Sequence, residues 1–223
     1  MIENNVPVIN SVNQLNKRSA AKSIATFDFS TLYTKIPHDK LIFVLNSLID
    51  FCYKGIEYNI LAITRYGAKW VSNVDIYDIW FNSAKMKEAV AYLLDNCFFT
   101  ICKKLFRQII GIPMGSDPAP FFANLFLYFY ENKWLKELKR VDLGKARKFG
   151  NTFRFIDDLA AINDGGEFER SFQDIYPPEL ELKKENTGSL CATFLDLELS
   201  ITDRKFNIKL FDKRNREYAL YFE

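Results

Sequence analysis

The sequence predicts an α+β fold: an antiparallel sheet with helices packed on one face. Three observations carry that prediction. Two strand-like apolar runs, Phe153–Ile156 and Leu159–Ile162, flank an Asp157-Asp158 step and read as a β-hairpin with the aspartates at its tip. Helical-period segments alternate with strand-length runs, in the order strand, helix, strand pair, helix, strand hairpin, helix, strands. The composition is that of a folded globular chain: 223 residues, 48% hydrophobic and 26% charged, with 21 Phe that suit a sheet-rich core. No internal repeat, low-complexity tract or linker interrupts it, so a single domain over 1–223 is expected.

Residues 1–21 are polar and without a clear period, and read as loop or short helix. Ser23–Phe29 is a short apolar run suited to a central strand, and it carries Asp28 near its end. Pro37 suits the start of a helix whose apolar residues Leu41, Val44, Leu45, Leu48 and Cys52 recur at helical spacing, with Gly55 as its stop. Residues 56–84 give no decisive pattern and stay open. Ser83 reads as the cap of a helix over about Ala84–Asp95. Phe98–Ile101 and Leu105–Ile110 read as strands joined near Lys103-Lys104. Gly111–Ser116 is a compact loop, after which Asp117-Pro118 launches a helix carrying Phe121, Phe122, Leu125, Phe126, Phe129, Tyr130 and Trp134. That aromatic set reads as core, not as a base-stacking platform. After the Asp-Asp hairpin, Gly165-Gly166 turns the chain into a helix over about Glu167–Ile175, ended by Pro177-Pro178. Leu180–Lys184, Thr193–Ile201 and Lys205–Leu210 read as strands, with Asp203-Arg204 as a turn. The end, from Phe211 to Glu223, is charged and then aromatic.

The formal net charge of +2 is no nucleic-acid signature by itself, although Lys133–Lys148 is locally basic. A solvated helix face explains such a run equally well. Cys52, Cys97, Cys102 and Cys191 lack Cys-x-x-Cys spacing, and His38 is the only histidine, which argues against a zinc site. Reduced thiols, no signal-peptide pattern and no apolar stretch of spanning length predict a soluble intracellular protein, nuclear or cytoplasmic. Oligomeric state leaves no mark on the sequence.

The chemistry concentrates in three aspartates. Asp is a favoured turn residue, so the Asp157-Asp158 pair alone need do nothing. If the strand ending near Asp28 lies beside the hairpin, however, three carboxylates meet at one sheet edge. Crowded anions of that kind call for a divalent cation.

At these residues the chain resembles a reverse transcriptase, most closely the Penelope-like retroelement enzymes, a group similar to telomerase. Phe27-Asp28-Phe29-Ser30-Thr31-Leu32-Tyr33-Thr34-Lys35-Ile36-Pro37 resembles the family's first catalytic motif. Arg107-Gln108 with Gly111-Ile112-Pro113-Met114-Gly115-Ser116-Asp117-Pro118 resembles its template- and nucleotide-contacting motif. Phe155-Ile156-Asp157-Asp158 resembles the second catalytic motif, with Phe where Tyr is commoner, and Phe194-Leu195-Asp196-Leu197 resembles the primer grip. The likeness runs from about Ser23 to Ile201.

The resemblance implies a polymerase palm over about 22–55 and 111–201, with a partial fingers segment over about 56–110. It implies two Mg²⁺ ions (Mn²⁺ as a substitute) held by Asp28 and Asp157, with Asp158 assisting and the Phe29 carbonyl as a further ligand. It makes Tyr33 a steric gate against the 2′-hydroxyl, where an ordinary loop aromatic is the plain alternative. Gln108, Gly111, Pro113 and Gly115 would contact template and nucleotide, and Phe194, Leu195 and Asp196 the primer end. The partners implied are an RNA template, a DNA primer and deoxynucleoside triphosphates, and no membrane.

The chain departs from the family pattern in two places. Of the basic residues that the family's fingers supply for the triphosphate, only Lys17, Arg18 and Lys22 lie upstream of the first catalytic motif, and little follows the primer-grip match, so the chain reads as truncated at fingers and thumb. The family's general-acid lysine falls near Lys183 and Lys184. RNA-templated DNA synthesis is therefore weighed against a catalytically inactive relic that binds nucleic acid or protein. A third possibility, RNA-templated RNA synthesis, is opposed by Tyr33 and by the lack of Gly before the Asp pair.

Overall fold

The computed structural model describes residues 1–55 and 58–211. The charged and aromatic end beyond Phe211 lies outside the described residues. In chain order the elements begin with α1 (Val6–Lys17), β1 (Ile24–Phe29), α2 (Leu32–Lys35), α3 (His38–Tyr53), β2 (Ile60–Thr64), β3 (Gly67–Val71) and β4 (Ile79–Phe81). Next come α4 (Ser83–Asp95), β5 (Phe98–Ile101), β6 (Lys104–Arg107), α5 (Ala119–Val141), α6 (Leu143–Lys148), β7 (Thr152–Phe155) and β8 (Asp158–Ile162). The remainder is α7 (Glu167–Ile175), β9 (Leu182–Lys184), β10 (Cys191–Phe194), β11 (Leu197–Thr202) and β12 (Lys205–Leu210). No helix among the described residues is long and apolar enough to cross a membrane.

The described residues form two compact units, one from 1–31 with 130–211, the other from 32–55 with 58–129. The second unit gathers residues 32–55 and 111–129, expected with the palm, around the 56–110 segment.

In the first unit an antiparallel sheet has the order β7-β8-β1-β9. Alternation along β1 gives it two chemically distinct faces. Phe27 and Phe29 point to one face, where their rings meet Phe168, Phe172 and Tyr176 of α7 and its C-terminal end at centroid distances of 5.0–6.0 Å. Ile24 lies on the other face with its β8 neighbours Ala160 and Ile162. There they pack with Val8 and Val12 of α1 and with Phe194, Leu197 and Leu199 of a second sheet, β10-β11-β12. Residues 1–21, open between loop and helix in the sequence, thus supply a helix that joins the core on this face.

In the second unit, α3 and α4 pack together. Within the open 56–84 stretch, residues 60–81 form a sheet of order β3-β2-β4, and β5 and β6 form a hairpin. Tyr53 ties α3 to the small sheet, its ring edge-on to Trp70 at 4.8 Å and its hydroxyl donating to the Phe81 carbonyl at 3.0 Å.

Four local expectations are corrected. The α4 cap is Asn82, whose side chain accepts from the Lys85 amide at 2.9 Å, so the helix starts at Ser83 itself. The β5–β6 turn is Cys102-Lys103, both at positive φ (49° and 61°), and β6 ends at Arg107 rather than Ile110. Thr193–Ile201 is a hairpin and not one strand, because Leu195 and Asp196 (φ 47° and 60°) form a turn closed by the Phe194–Leu197 pair. The basic run after α5 breaks at Asp142, whose side chain caps α6 by accepting from the Lys145 amide at 2.8 Å. In each hairpin, strand pairing imposes the left-handed turn without glycine.

Candidate active site

The carboxylates expected at the hairpin tip divide between tip and strand. Phe155 pairs with Asp158, so the turn is Ile156-Asp157 and Asp158 is the first residue of β8. Register then sets Asp158 opposite Asp28 and Asp28 opposite Lys183. Cross-strand partners share a face, so Phe155, Asp158, Asp28 and Lys183 form one row across four strands. The Phe29 amide donates to the Asp157 carbonyl at 3.1 Å, which fastens the turn to the end of β1.

Electrostatics marks the same spot. Asp28 is half-buried, and burial raises its carboxyl above the usual range; the Asp157 charge adds to the rise and Lys183 opposes it. Lys183 therefore faces the carboxylates, whereas Lys184 points away and pairs with Glu169 at 2.7 Å. Of the two candidate lysines, only Lys183 belongs to the site.

Hard oxygen donors on two adjacent strands suit Mg²⁺, which binds through one or two carboxylates and keeps its remaining positions for water and phosphate. Among the described residues no group of three or more His, Cys, Asp or Glu side chains is preassembled as a metal cage. Asp28, Asp157 and Asp158 offer the hard carboxylate oxygens that magnesium takes.

The expected primer-grip residues lie at the β10–β11 turn. Phe194, Leu195 and Asp196 line a 270 Å³ cleft together with Asp158 and Glu185. Phe194 is only 4% exposed and belongs to the core, which leaves Leu195 and Asp196 as the accessible part of the turn. The Leu195 carbonyl accepts from Asn5 Nδ2 at 3.2 Å, so the residues before α1 help hold this turn.

The expected nucleotide- and template-contacting residues belong to the second unit. Two segments remote in sequence are stitched there: Gly111 N donates to Ile36 O at 2.8 Å, and Ile112 N to Tyr33 O at 2.7 Å. His38 Nε2 donates to the Gly111 carbonyl at 2.7 Å, a role the sequence did not reveal for the chain's only histidine. Gln108 Nε2 donates to Ile110 O at 2.9 Å. Tyr33, Gln108 and Gly111 are thus neighbours, and Gly111 is obligatory: at φ 80°, an added Cβ would lie 2.4 Å from Tyr33 O. Pro113 and Gly115 line a separate apolar cleft of 360 Å³ with Leu94, Phe98 and Phe122.

Sequence reasoning missed one cluster. Arg154, between Phe153 and Phe155, is 2% exposed and forks onto Glu131 with Nε–Oε1 at 2.6 Å and Nη2–Oε2 at 3.1 Å. Tyr176 donates to the same Oε1 at 2.7 Å. A charge in the middle of a buried strand demands a partner, and that demand was the available signal.

No family model matches the chain, and no curated protein matches it. Solved structures do. Telomerase from Candida albicans, in complex with a TWJ fragment of telomeric RNA, superposes with a TM-score of 0.62 at 13% identity, over 92% of this chain and 34% of that one. Apo telomerase from Candida tropicalis gives 0.59 at 12% identity, over 94% and 37%. The chain therefore shares a palm-like α+β fold with telomerase, a reverse transcriptase, and spans about a third of the length of those chains.

Proposed function

We propose that this chain is the palm, with part of the fingers, of an RNA-directed DNA polymerase from a Penelope-like retroelement, adding deoxynucleotides to a primer 3′-hydroxyl. One observation carries the reading: Asp28 and Asp158 face each other beside Asp157, at the end of the central sheet of a fold shared with telomerase. The telomeric RNA held by one of those telomerases supports an RNA partner here.

Asp28 and Asp157 would hold the magnesium ions, with Asp158 and the Phe29 carbonyl assisting; Mn²⁺ is an expected substitute. Bound magnesium supplies the positive charge that lowers the pKa of a hydroxyl and offsets charge on phosphates. Lys183 keeps a cation beside Asp28, placed to moderate charge when a triphosphate enters. The reading gives Tyr33 the exclusion of a ribose 2′-hydroxyl, gives Gly111 close backbone approach to the nascent pair, and sets Gln108 against the template. Leu195 and Asp196, lining a cleft with Asp158, would hold the primer end.

A second reading is an inactive module that binds nucleic acid or protein, since a shared fold does not carry the activity with it. Primer extension on an RNA template with Mg²⁺ and deoxynucleotides separates the two. Extension that vanishes in Asp157→Ala and Asp158→Ala is expected. No extension by this chain, alone or within its flanking coding sequence, leaves the inactive module.

A further inference from the structure

We infer that the buried Arg154–Glu131–Tyr176 network is a positioning device that fixes the direction of Asp157. The inference rests on the proposed reading of Asp157 as a metal-holding residue.

The starting point is the turn. Ile156 sits at φ 53°, a left-handed conformation that a β-branched residue adopts only when its surroundings impose it. Arg154 Nη1 donates to the Ile156 carbonyl at 3.0 Å, so the peptide joining Ile156 to Asp157 cannot rotate without losing that bond. Arg154 is itself immobile, forked onto Glu131 through two parallel bonds. Glu131 comes from α5, and its Oε1 also takes the Tyr176 hydroxyl. The Tyr176 ring then stands edge-on to Phe29 at 5.0 Å, and the Phe29 amide holds the Asp157 carbonyl. Both main-chain anchors of the turn therefore lead back to one ion pair.

The location sharpens the inference. Arg154 pairs with Leu159 and so faces the side of the sheet that α7 covers, whereas Asp28 and Asp158 face the other side. The network touches the turn from behind, without competing for the carboxylates. Its chemistry also exceeds what packing needs. A buried ion pair is a poor stabiliser, and apolar residues of similar volume fill such a place as well. What apolar residues cannot do is aim a third N–H at a main-chain carbonyl. Lysine cannot do so either while it also spans both Glu131 oxygens.

The test uses three proteins: wild type, Arg154→Lys, and the triple variant Arg154→Met/Glu131→Leu/Tyr176→Phe. The triple variant removes Arg154 and Glu131 together, so neither is left facing the other's empty place; the Met1 ammonium beside Glu131 loses both neighbours at once. Arg154→Lys keeps the ion pair and loses the fork, which covers a failure of the triple variant to fold. Mn²⁺ binding is read by electron paramagnetic resonance on the full chain, alongside thermal melting and the Mg²⁺ dependence of primer extension. Residues supporting metal ligands commonly change affinity by 10–100-fold, so an Mn²⁺ affinity about tenfold weaker is expected in each folded variant. The half-saturating Mg²⁺ for extension should rise by a similar factor. Folded variants that bind Mn²⁺ as tightly as wild type make the network structural only and overturn the proposal. Wild type that binds Mn²⁺ no better than Asp157→Ala overturns the metal reading and the proposal together. Wild type that binds Mn²⁺ without extending a primer overturns the polymerase reading alone.

Discussion

Asp28 and Asp158 are cross-strand partners in a pair that the main chain does not bond. The Phe29 amide reaches past them to Asp157, which is the pattern of a non-hydrogen-bonded antiparallel pair. In such a pair the Cα atoms approach to about 4.5 Å and the side chains are closest. Burial is the largest cost of charging Asp28, and the nearby Asp157 charge adds to it.

The first prediction follows from that cost of charging Asp28. The folded-state pKa of Asp28 is raised, so its contribution to stability is full below its unfolded value of 3.8 and is lost as pH rises through the folded value. At neutral pH the metal-free chain carries the whole penalty. Asp28→Asn should therefore melt at a higher temperature than wild type without metal, with the gap closing as the solution is acidified. Added Mg²⁺ should stabilise wild type and leave the variant unmoved. Thermal melts across pH, with and without Mg²⁺, check both halves.

Much of this site could be read from residue order, and what could not be read has a physical cause. The β1 run and the Phe-Ile-Asp-Asp hairpin stand out because apolar runs around a polar step have few alternatives. The turns at Cys102-Lys103 and Leu195-Asp196 do not, since they lack Gly or Asn and owe their positive φ to strand pairing. The β2–β4 sheet escaped because β3 shows no clean alternation; four of its five residues are exposed. Tyr33 and Gly111 each matched a motif, but their contact depends on an Ile36–Gly111 bond that no local pattern encodes.

Gly111 and Gly115 give a second prediction by contrast. Both have positive φ, 80° and 92°, but a Cβ at Gly111 meets Tyr33 O at 2.4 Å while one at Gly115 meets nothing within 4 Å. Gly115→Ala should cost only the left-handed backbone penalty, about 1 kcal/mol. Gly111→Ala adds a clash with backbone and should cost on the order of 3 kcal/mol. Urea unfolding of the two variants measures the difference; equal losses would mean the Tyr33–Gly111 contact is not tight.

Tyr33 supplies a test of substrate choice. Its carbonyl is fixed by Ile112, which limits how far the residue can shift. Under the polymerase reading, Tyr33→Val opens space for a 2′-hydroxyl and should raise ribonucleotide incorporation roughly tenfold or more. Tyr33→Phe keeps the ring and should not. Competition between ribo- and deoxynucleotides in primer extension reads the ratio, and an unchanged ratio in the valine variant removes the gate.

Glu167 gives the first unit one source of acid sensitivity. It opens α7 and meets Lys148 at 2.9 Å and Arg170 at 3.1 Å. Hydrogen bonds from Lys148 and then Arg170 pull its carboxyl down from 4.5 to about 2. A depressed pKa contributes stability that is present above 4.5 and disappears as pH falls toward about 2. Glu167→Gln should therefore be less stable than wild type at neutral pH, by up to about 1 kcal/mol for so accessible a cluster. The two should converge in acid, which urea titrations from neutral pH downward would show.

The last prediction concerns the strain at Ile156. A left-handed β-branched residue costs about 1–2 kcal/mol, and glycine relieves that cost while losing about 0.5–1 kcal/mol to backbone entropy. Ile156→Gly should therefore leave stability within about 1 kcal/mol of wild type, despite the loss of a half-buried side chain. Its effect should depend on Arg154. With the bond from Arg154 to the Ile156 carbonyl in place, the turn is held left-handed whatever the side chain. In an Arg154→Lys background that bond is gone and only strand pairing and the Phe29–Asp157 bond remain, so isoleucine can relax and glycine has less strain to relieve. A double-mutant cycle over these two positions should return a coupling of at least 0.5 kcal/mol, the range found for residues in contact. Additivity within about 0.3 kcal/mol would mean that the turn keeps its shape without the arginine.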